Sequence, residues 1–451
     1  MKDLLNDVAA RATNYLAGLG DQPVAPHSDR VASLQALAGA LPEGPSDPNS
    51  VLALLDDYGS PATVASAGPR YFGFVTGGTL PAALAANWLA GVWDQNAGLW
   101  VQSPVAAFLE DVTAGWLRSL FGLPSTCGVG FVTGATVANF SCLAAARHAL
   151  LLRSGWNVEE QGLFGAPEIR VVVGGEGHAS LLKALALVGF GRNRVTTVPA
   201  DEQGRMRAEA LPPLDSRTLV CMQAGNVNTG AFDPAREICR RARVGGAWVH
   251  VDGAFGLWAA AAPGRAHLLN GVGEADSWAT DCHKWLNVPY DSGLAFVRDA
   301  EDLRAAMALS GAYLQFSDKR DGAQYAPEAS RRGRGVEVWA ALKSLGRRGL
   351  ADLIERNCRL AERFAAGLRS AGYAILNDVV LNQVLVSFGD AETTRRVIAD
   401  IQNDGTCWCG GTVWQGHTAM RISVSSWATT EADVDRSLVA IRRLAKAAQG
   451  R

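Results

Sequence analysis

The sequence has little net charge, since its 42 lysine and arginine residues nearly balance its 44 aspartate and glutamate residues, for a formal charge of −2. A protein that neutralises nucleic-acid phosphates or anionic lipids needs a basic surface, so this balance argues against both as principal partners. Long hydrophobic runs are also missing. The apolar stretch 80–93 is interrupted by Pro81, Asn87 and Gly91 and is shorter than the roughly 20 residues of a spanning helix. The composition predicts no membrane segment and favours a small ligand.

Cysteine is sparse, with eight residues in a chain of 451, and shows none of the density of a disulfide scaffold. Cys407 and Cys409 lie near His417, but no second pair of ligands follows at the spacing that zinc requires, so no metal site is predicted. The N-terminus also lacks the basic and apolar regions of a secretory signal. These absences favour a cytoplasmic protein with reduced thiols.

What the chain does have is a large apolar content, 48% of its residues, and a regular alternation of short apolar runs with helical periods between about residues 125 and 300. Buried strands separated by helices indicate an α/β fold with a mostly parallel central sheet flanked by helices. The strand-like runs are 129–132, 169–173, 194–198, 218–222, 247–251, 277–280 and 293–297.

Four regions are predicted along the chain. Residues 1–60 form an N-terminal helical arm, and residues 61–305 form the large α/β domain. Residues 306–335 are polar and rich in glycine and arginine, which indicates a long exposed loop that links the domains or covers a site. Residues 336–451 then form a small α+β domain, which begins with helices over 336–345 and 350–371.

Chemistry is indicated first by the segment 281–285, Asp-Cys-His-Lys-Trp, directly after a predicted strand. Burial at a strand end disfavours the ammonium form of Lys284 and leaves the nucleophilic amine that an imine-forming residue needs, although a lone lysine could equally cap a turn. Asp252 ends the preceding strand, and the small residues Gly253 and Ala254 leave room for a flat ring. A carboxylate there can keep a heteroaromatic nitrogen protonated, so the pair predicts a site for pyridoxal phosphate.

Two further segments suit the same ligand. Residues 133–139 follow a strand and open a helix, where free backbone N–H groups and the Thr136 hydroxyl favour a phosphate. His178 follows another strand, and its imidazole can lie flat on a pyridine ring. Taken singly, each segment is also explained as an ordinary turn or cap.

With these four segments in order, the sequence from about residue 68 to the C-terminus resembles the group II pyridoxal phosphate-dependent amino acid decarboxylases. This family includes decarboxylases of glutamate, aromatic amino acids, histidine and cysteine sulfinate, and has fold type I of the aspartate aminotransferase superfamily. The resemblance implies that pyridoxal 5′-phosphate is the cofactor, bound in the large domain. It also implies decarboxylation of an L-amino acid to the amine and carbon dioxide, through a lysine internal aldimine and a quinonoid intermediate.

The matching positions imply specific roles around the cofactor. Lys284 forms the internal aldimine, Asp252 pairs with the pyridine nitrogen, and Ala254 and His178 lie on the two faces of the ring. The resemblance assigns the phosphate to Ala135, Thr136 and His283. Val227 stands where the family usually has a cofactor-contacting threonine, so Asn226 is predicted to reach the phenolic oxygen instead.

Substrate and proton-donor residues follow from the same resemblance. Phe72 and Phe74 lie in a segment that resembles one lining the family's substrate pocket, and Arg421 matches an arginine that contacts the substrate carboxylate in glutamate decarboxylases. Tyr325 lies where the family carries a mobile-loop tyrosine that protonates the carbanion, and His178 is expected to assist it. The family likeness also implies a homodimer with its active site at the interface.

Two questions stay open at this stage. Aromatic residues of the pocket segment favour an apolar or aromatic substrate, whereas Arg70 could bind an acidic one. Transamination, retro-aldol cleavage or aldehyde formation on the same fold are alternatives to decarboxylation, because the orientation of the substrate on the cofactor selects the bond that breaks. A non-catalytic protein is disfavoured because both Lys284 and Asp252 are present, and a nicotinamide dehydrogenase because no G-x-G-x-x-G joins a strand to a helix.

Overall fold

The structure, a computed structural model, describes residues 1–309, 311, 316 and 318–449. The chain divides into two compact units. Unit one comprises Met1–Gly78, Arg363–Leu376 and Val384–Arg451, and unit two comprises Thr79–Glu362 and Asn377–Gln383.

The helices of the described residues are numbered in chain order. They are α1 (Lys2–Gly18), α2 (Ser28–Ser33), α3 (Pro48–Gly59), α4 (Pro81–Trp93), α5 (Pro104–Phe121), α6 (Ala135–Leu152), α7 (Val158–Gln161), α8 (Ala179–Leu187), α9 (Ala235–Gly245), α10 (Ala300–Met307), α11 (Gly335–Ser370), α12 (Ala391–Asp404) and α13 (Glu431–Gln449). Within α11, Gly346 has a φ of 59° and interrupts the helix, as the two helices predicted on either side of it require.

Unit two is built on a seven-stranded sheet with strand order β1-β7-β6-β5-β4-β2-β3. Its strands are β1 (Gly128–Val132), β2 (Arg170–Gly174), β3 (Val195–Val198), β4 (Thr218–Gln223), β5 (Trp248–Asp252), β6 (Ser277–Asp281) and β7 (Gly293–Val297). Neighbours from β6 to β3 are parallel, and β7 is antiparallel to both β6 and β1. The predicted α/β class and mostly parallel sheet are confirmed. Because β7 is antiparallel to both of its neighbours, β1 runs in the same direction as β6.

The core of unit two lies between this sheet and the helices α6 and α8. Helix α6 is rich in alanine, so it packs closely on the strands, and it begins directly after the turn that ends β1. Its length and composition would allow it to cross a membrane, but 72% of it is buried inside the protein, as in a core helix.

Unit one contains strands β8 (Ala374–Ile375), β10 (Gly410–Trp414) and β11 (His417–Ser423), together with most of β9 (Gln383–Ser387). Their order in the second sheet is β10-β11-β9-β8. The N-terminal residues join this unit through Arg70, whose buried side chain donates hydrogen bonds to the backbone carbonyls of Gly20, Gln22 and Thr406.

The predicted exposed loop 306–335 falls partly on residues 310, 312–315 and 317, which lie outside the described residues. In the described part, the prediction of exposure is wrong for Arg331 and Arg334, which are both buried. Arg334 pairs with Asp291 at 2.9 Å.

Arg331 is held by an ion-pair cluster inside unit two. Its guanidinium lies 2.8 Å from a carboxylate oxygen of Glu110 and donates hydrogen bonds to the carbonyls of Ala97 and Phe131. Arg320 pairs with the other oxygen of Glu110 at 3.0 Å. The sequence pattern did not reveal that these arginines have a buried carboxylate to satisfy them, and a buried charge is stable only with such a partner.

Candidate active site

The carboxyl ends of β1, β2, β4, β5 and β6 meet at one edge of the unit-two sheet, because these strands share one direction. Ligands of open α/β sheets bind at this edge. The structure brings eight predicted residues to it, on the strand ends or the turns that follow them. They are Ala135, Thr136, His178, Asn226, Asp252, Ala254, His283 and Lys284.

Lys284 is largely buried, with 19% of its side chain exposed, and its Nζ lies 2.8 Å from Oδ2 of Asp281. Burial lowers the pKa of the ammonium, but the charge and hydrogen bond of Asp281, together with the charge of Asp252, raise it by more. The net pKa is therefore raised, and the predicted loss of the ammonium form through burial is wrong for this structure. A proton on Lys284 has an acceptor beside it in Asp281.

The amino end of α6 lies against the carboxylate of Asp281. The N–H of Ala135 donates to Oδ1 of Asp281 at 2.5 Å, and Thr136 lies in the same first helical turn. A Cβ at Gly134 would lie 3.0 Å from Cε1 of His283 and 3.2 Å from Oδ1 of Asp281, so the glycine allows these two side chains to lie close to the turn.

His283 is held in place from two sides. Its Nδ1 accepts the N–H of Ser292 at 3.2 Å, and its ring stacks on Tyr290 with centroids 4.4 Å apart. Burial lowers the pKa of His283, while the nearby Asp281 opposes that shift. Because Nδ1 is the acceptor, Nε2 carries the proton of the neutral ring and lies on the Asp281 side, 3.5 Å from Oδ1.

Asp252 is buried and carries two hydrogen bonds from the protein. The side-chain amide of Asn139 donates to Oδ2 at 3.1 Å, and the backbone N–H of Ala254 donates to Oδ1 at 3.2 Å. Among the residues that the structure describes, this leaves one lone pair on each oxygen for a further donor. The two bonds thus fix the orientation of the carboxylate at the edge formed by the carboxyl ends of the strands.

Sequence reasoning missed the residues behind Asp252. Asn139 on α6 accepts a hydrogen bond from Nε2 of His250 at 2.8 Å, and Nδ1 of His250 lies 2.9 Å from Oγ of Ser277. Positions 250 and 252 point to the same face of β5, because side chains alternate along a strand. The alternating segment 248–252, Trp-Val-His-Val-Asp, could have indicated these residues, because it places polar side chains on one face of a buried strand.

His178 and Asn226 end the turns after β2 and β4. His178 caps α8, where its Nδ1 accepts the N–H of Ser180 at 3.2 Å and lies 2.7 Å from the Ser180 hydroxyl. Oδ1 of Asn226 accepts backbone N–H groups of its own turn, from Asn228 and Thr229. Its Nδ2 is buried and has no hydrogen-bond partner among the residues that the structure describes. A buried unpaired donor is costly, so this atom is suited to an acceptor on a ligand.

Tyr325 lies elsewhere in unit two. It follows a short turn over 322–324, and the Arg320 guanidinium lies over its ring, 4.4 Å from the centroid. The ring borders a cavity of about 880 Å³ that is also lined by residues 125–129, at the amino end of β1. The Tyr325 carbonyl lies against Gly130, midway along β1, whereas Lys284 follows the carboxyl end of β6.

Phe72, Phe74 and Arg421 belong to unit one. Phe72 is only 1% exposed and packs edge-on against Phe364, with centroids 4.9 Å apart. Arg421 on β11 lies opposite Gly410 on β10 in the backbone register, and it is partly buried. Burial lowers the pKa of the Arg421 guanidinium, and the neighbouring Tyr71 opposes that change.

Phe74, in contrast, is 65% exposed and stacks on Trp408, with centroids 5.4 Å apart. Tyr71 stacks on the same indole at 5.1 Å. Phe74 and Val75 have φ values of 52° and 57°, which residues other than glycine rarely adopt. Backbone strain of this kind concentrates at functional sites. Trp408 is a residue that sequence reasoning did not single out.

A model of the pyridoxal-dependent decarboxylase conserved domain matches residues 35–389 of this chain. The chain belongs to the pyridoxal-dependent decarboxylase family. It is a pyridoxal phosphate-dependent carboxy-lyase that acts on an amino acid, and its cofactor is pyridoxal 5′-phosphate.

Relatives of this decarboxylase include the aromatic-L-amino-acid decarboxylase of Bacillus atrophaeus, 25% identical over 456 residues that cover 96% of this chain and 93% of the relative. The L-2,4-diaminobutyrate decarboxylase of Rhizobium meliloti (strain 1021) is 28% identical over 386 residues, 81% of this chain and 75% of the relative. The solved structure of Oryza sativa TDC with PLP and tryptamine has the same fold. Its TM-score is 0.90 at 22% identity, over 99% of this chain and 97% of that one.

The residues of the decarboxylase fit its cofactor. Nδ2 of Asn226, unpaired among the described residues, offers a donor, the helix amino end at α6 favours a phosphate, and Asp252 offers an oriented carboxylate. The amine of Lys284 lies at the same edge of the sheet.

His250 makes the stability of the decarboxylase sensitive to acid. Burial lowers the pKa of this histidine from 6.5 to about 3, so between these values the unfolded chain binds a proton that the folded protein does not. Stability is then full above pH 6.5 and falls as the pH drops towards 3. Between about pH 7 and about pH 5 we expect wild type to lose about 2 kcal/mol more unfolding free energy than His250→Gln. Urea denaturation at the two pH values measures the difference, and equal losses in both proteins would contradict the assignment.

Proposed function

We propose that this decarboxylase converts an aromatic L-amino acid to its amine and carbon dioxide. The observation that carries the choice of substrate is the exposed aromatic face of unit one, where Phe74 and Trp408 stack beside the partly buried Arg421. Aromatic rings stack favourably on such a face. The name of the Bacillus atrophaeus relative supports the same substrate class.

Bound pyridoxal 5′-phosphate supplies an electron sink for the pair released at Cα when carbon dioxide leaves. Lys284 must lose a proton before Nζ can bond to a carbonyl carbon, and Oδ2 of Asp281, 2.8 Å away, is placed to accept it. The same contact holds the lysine side chain at the edge formed by the carboxyl ends of the strands.

The remaining residues at this edge hold and orient the ligand. Asp252, whose carboxylate is oriented by two donors, would hold a proton at the ring nitrogen of the bound cofactor. His178 and Ala254 would pack on its ring, and Nδ2 of Asn226 would donate to its phenolic oxygen. The first turn of α6 with Ala135 and Thr136, together with Nε2 of His283, would hold its phosphate.

Protonation of Cα is assigned to a tyrosine supplied by a second copy of the chain. In its own chain Tyr325 lies beside the middle of β1 and lines a cavity at the amino end of that strand, so we propose a homodimer in which Tyr325 of the partner subunit donates the proton, assisted by His178. Exposed apolar side chains on α4 and α5 support an interface between copies. They are Trp88, Leu89, Val92, Trp93, Val105 and Phe108.

A cytoplasmic location is proposed from the thiols. All eight cysteines lie within the described residues, are buried and form no disulfide. Such a set persists in a reducing compartment.

The reaction is tested by incubating the reconstituted enzyme with each of the twenty amino acids and measuring carbon dioxide, amine, ammonia, aldehyde and keto acid. We expect carbon dioxide and amine in equal amounts, with tryptophan, phenylalanine or tyrosine as the best substrate. Glutamate as the best substrate would overturn the proposed class. Keto acid without carbon dioxide would indicate transamination, and ammonia with an aldehyde would indicate aldehyde formation.

The aromatic face predicts a second result. Trp408→Ala should lower kcat/KM for the best aromatic substrate roughly 10- to 100-fold, because a stacking partner is lost. Trp408→Phe should retain most of the activity, and Trp116→Ala, which truncates a partly exposed tryptophan on α5, should retain all of it. The aromatic-face assignment fails if Trp408→Ala leaves the preference for aromatic over acidic substrates unchanged.

A further inference from the structure

A chain of buried hydrogen bonds runs behind Asp252. Trp248, His250 and Asp252 lie at alternate positions of β5 and therefore share one face of the strand. Ser277 is the direct neighbour of His250 on β6, and Asn139 faces them from α6. All five residues are buried.

The partners determine where each hydrogen lies. Nδ2 of Asn139 donates to Asp252, so its Oδ1 must accept, and Nε2 of His250 must then carry a hydrogen. Because burial keeps this imidazole neutral, with its pKa lowered to about 3, Nδ1 has no hydrogen and accepts the hydroxyl hydrogen of Ser277. Ser277 Oγ in turn accepts the indole N–H of Trp248 at 3.0 Å.

Every bond in the chain therefore points the same way, from Trp248 through Ser277, His250 and Asn139 to Asp252. Each of the four links joins one donor to one acceptor, and a satisfied buried polar network is stable and specifies one geometry. Asp252 is the end of the network and the only charged one of its five residues. Its carboxylate lies at the cofactor edge of the sheet.

We propose that Asn139 is a positioning residue for the cofactor, and that His250 fixes Asn139 in turn. Asn139 holds one oxygen of Asp252 so that the remaining lone pairs face the ring nitrogen of bound pyridoxal phosphate. Without it the carboxylate can rotate about its χ2 bond, held only by the Ala254 N–H, and its hydrogen bond to the ring nitrogen weakens. The inference rests on the proposed role of Asp252 at that nitrogen.

The chain provides a graded set of variants. Asn139→Leu removes both network bonds at nearly constant volume. His250→Leu removes the donor to Asn139, and His250→Gln restores an N–H at the position of Nε2. Ser141→Ala is the matched control, because Ser141 lies buried on the same helix and its hydroxyl donates to the Val137 carbonyl, outside the network.

The readouts are the dissociation constant of pyridoxal phosphate, obtained by titrating the cofactor-free protein, and the pH titration of the bound cofactor's visible absorbance. We expect Asn139→Leu to raise the dissociation constant about tenfold or more and to shift the pH midpoint of the absorbance titration. His250→Leu should do the same to a smaller extent. His250→Gln and Ser141→Ala should match wild type in both measurements.

Urea denaturation of each cofactor-free variant separates positioning from a loss of stability. If Asn139→Leu and His250→Leu are less stable but bind the cofactor with wild-type affinity and an unchanged absorbance titration, the network is structural and the inference is overturned. Should Asn139→Leu not fold, the comparison of His250→Leu with His250→Gln decides in the same way. Asp252→Ala tests the underlying role: wild-type cofactor affinity in that variant would overturn the proposed function of Asp252 itself. If Asp252→Ala weakens binding and Asn139→Leu does not, only the further inference fails.

Discussion

Lys284→Arg is expected to lower kcat by at least about a thousandfold and to abolish the visible absorbance of the lysine-bound cofactor. Arginine keeps a positive charge beside Asp281, so the buried carboxylate retains a partner and the fold is preserved. Its guanidinium is protonated at all working pH values and cannot bond to the cofactor's aldehyde carbon. Absorbance spectra, steady-state kinetics and far-ultraviolet circular dichroism measure the three effects.

Lys183 provides the control for this experiment. It is an exposed lysine on α8, and Lys183→Arg should retain wild-type absorbance and kcat. Borohydride treatment of the wild type, followed by peptide mass spectrometry, should find the cofactor on the peptide that contains Lys284. Visible absorbance retained in Lys284→Arg, or a label on another lysine, would refute the assignment of the cofactor-binding amine.

Glu110→Gln is expected to lower the free energy of unfolding by about 3–5 kcal/mol, the effect of breaking a buried ion pair from one side. Glu110 and Arg331 have almost no exposed surface, and Arg320 shares the same carboxylate. Removing the negative charge leaves two buried guanidinium groups without a counter-charge, and neither can neutralise itself by losing a proton. Urea denaturation of the cofactor-free protein, followed by circular dichroism, measures the loss.

The exposed pair of Glu301 with Arg304 on α10 is the matched control, with nitrogen and oxygen 3.0 Å apart. Water and salt screen such a pair, so Glu301→Gln should change stability by no more than about 0.5 kcal/mol. A loss below about 1 kcal/mol in Glu110→Gln would mean that the cluster is not a major stabilising element.

The strands, and the position of the proposed cofactor residues at the strand ends, could be predicted because their signals are local. Each buried parallel strand is a short apolar run, and His178, Asn226, Asp252 and Lys284 come directly after such runs, where the chain must leave the sheet. Parallel strands of one sheet end at a common edge, so the order of the motifs was enough to place these residues together.

Partners across elements could not be predicted in this way. Asp281 was visible only as part of a motif, yet its contact with Lys284 reverses the direction of the predicted pKa change. In the sequence, Asn139 is an ordinary polar residue of a predicted helix, because its contacts with β5 form only when α6 packs on that strand. In the sequence, Arg331 is typical of an exposed loop, because its buried partner Glu110 lies on the distant helix α5.

The sequence by itself determined the fold class, the cofactor and the residues at the strand ends, because hydrophobic periodicity and short motifs act over a few residues. Only the tertiary structure decided which charges neutralise one another and which hydrogen bonds orient Asp252. It also decided that Tyr325 lies beside the middle of β1 in its own chain. These outcomes depend on pairs separated by tens to hundreds of residues, such as Asn139 with Asp252 and Glu110 with Arg331. Burial gives such contacts their energy, and burial exists only once the chain has folded.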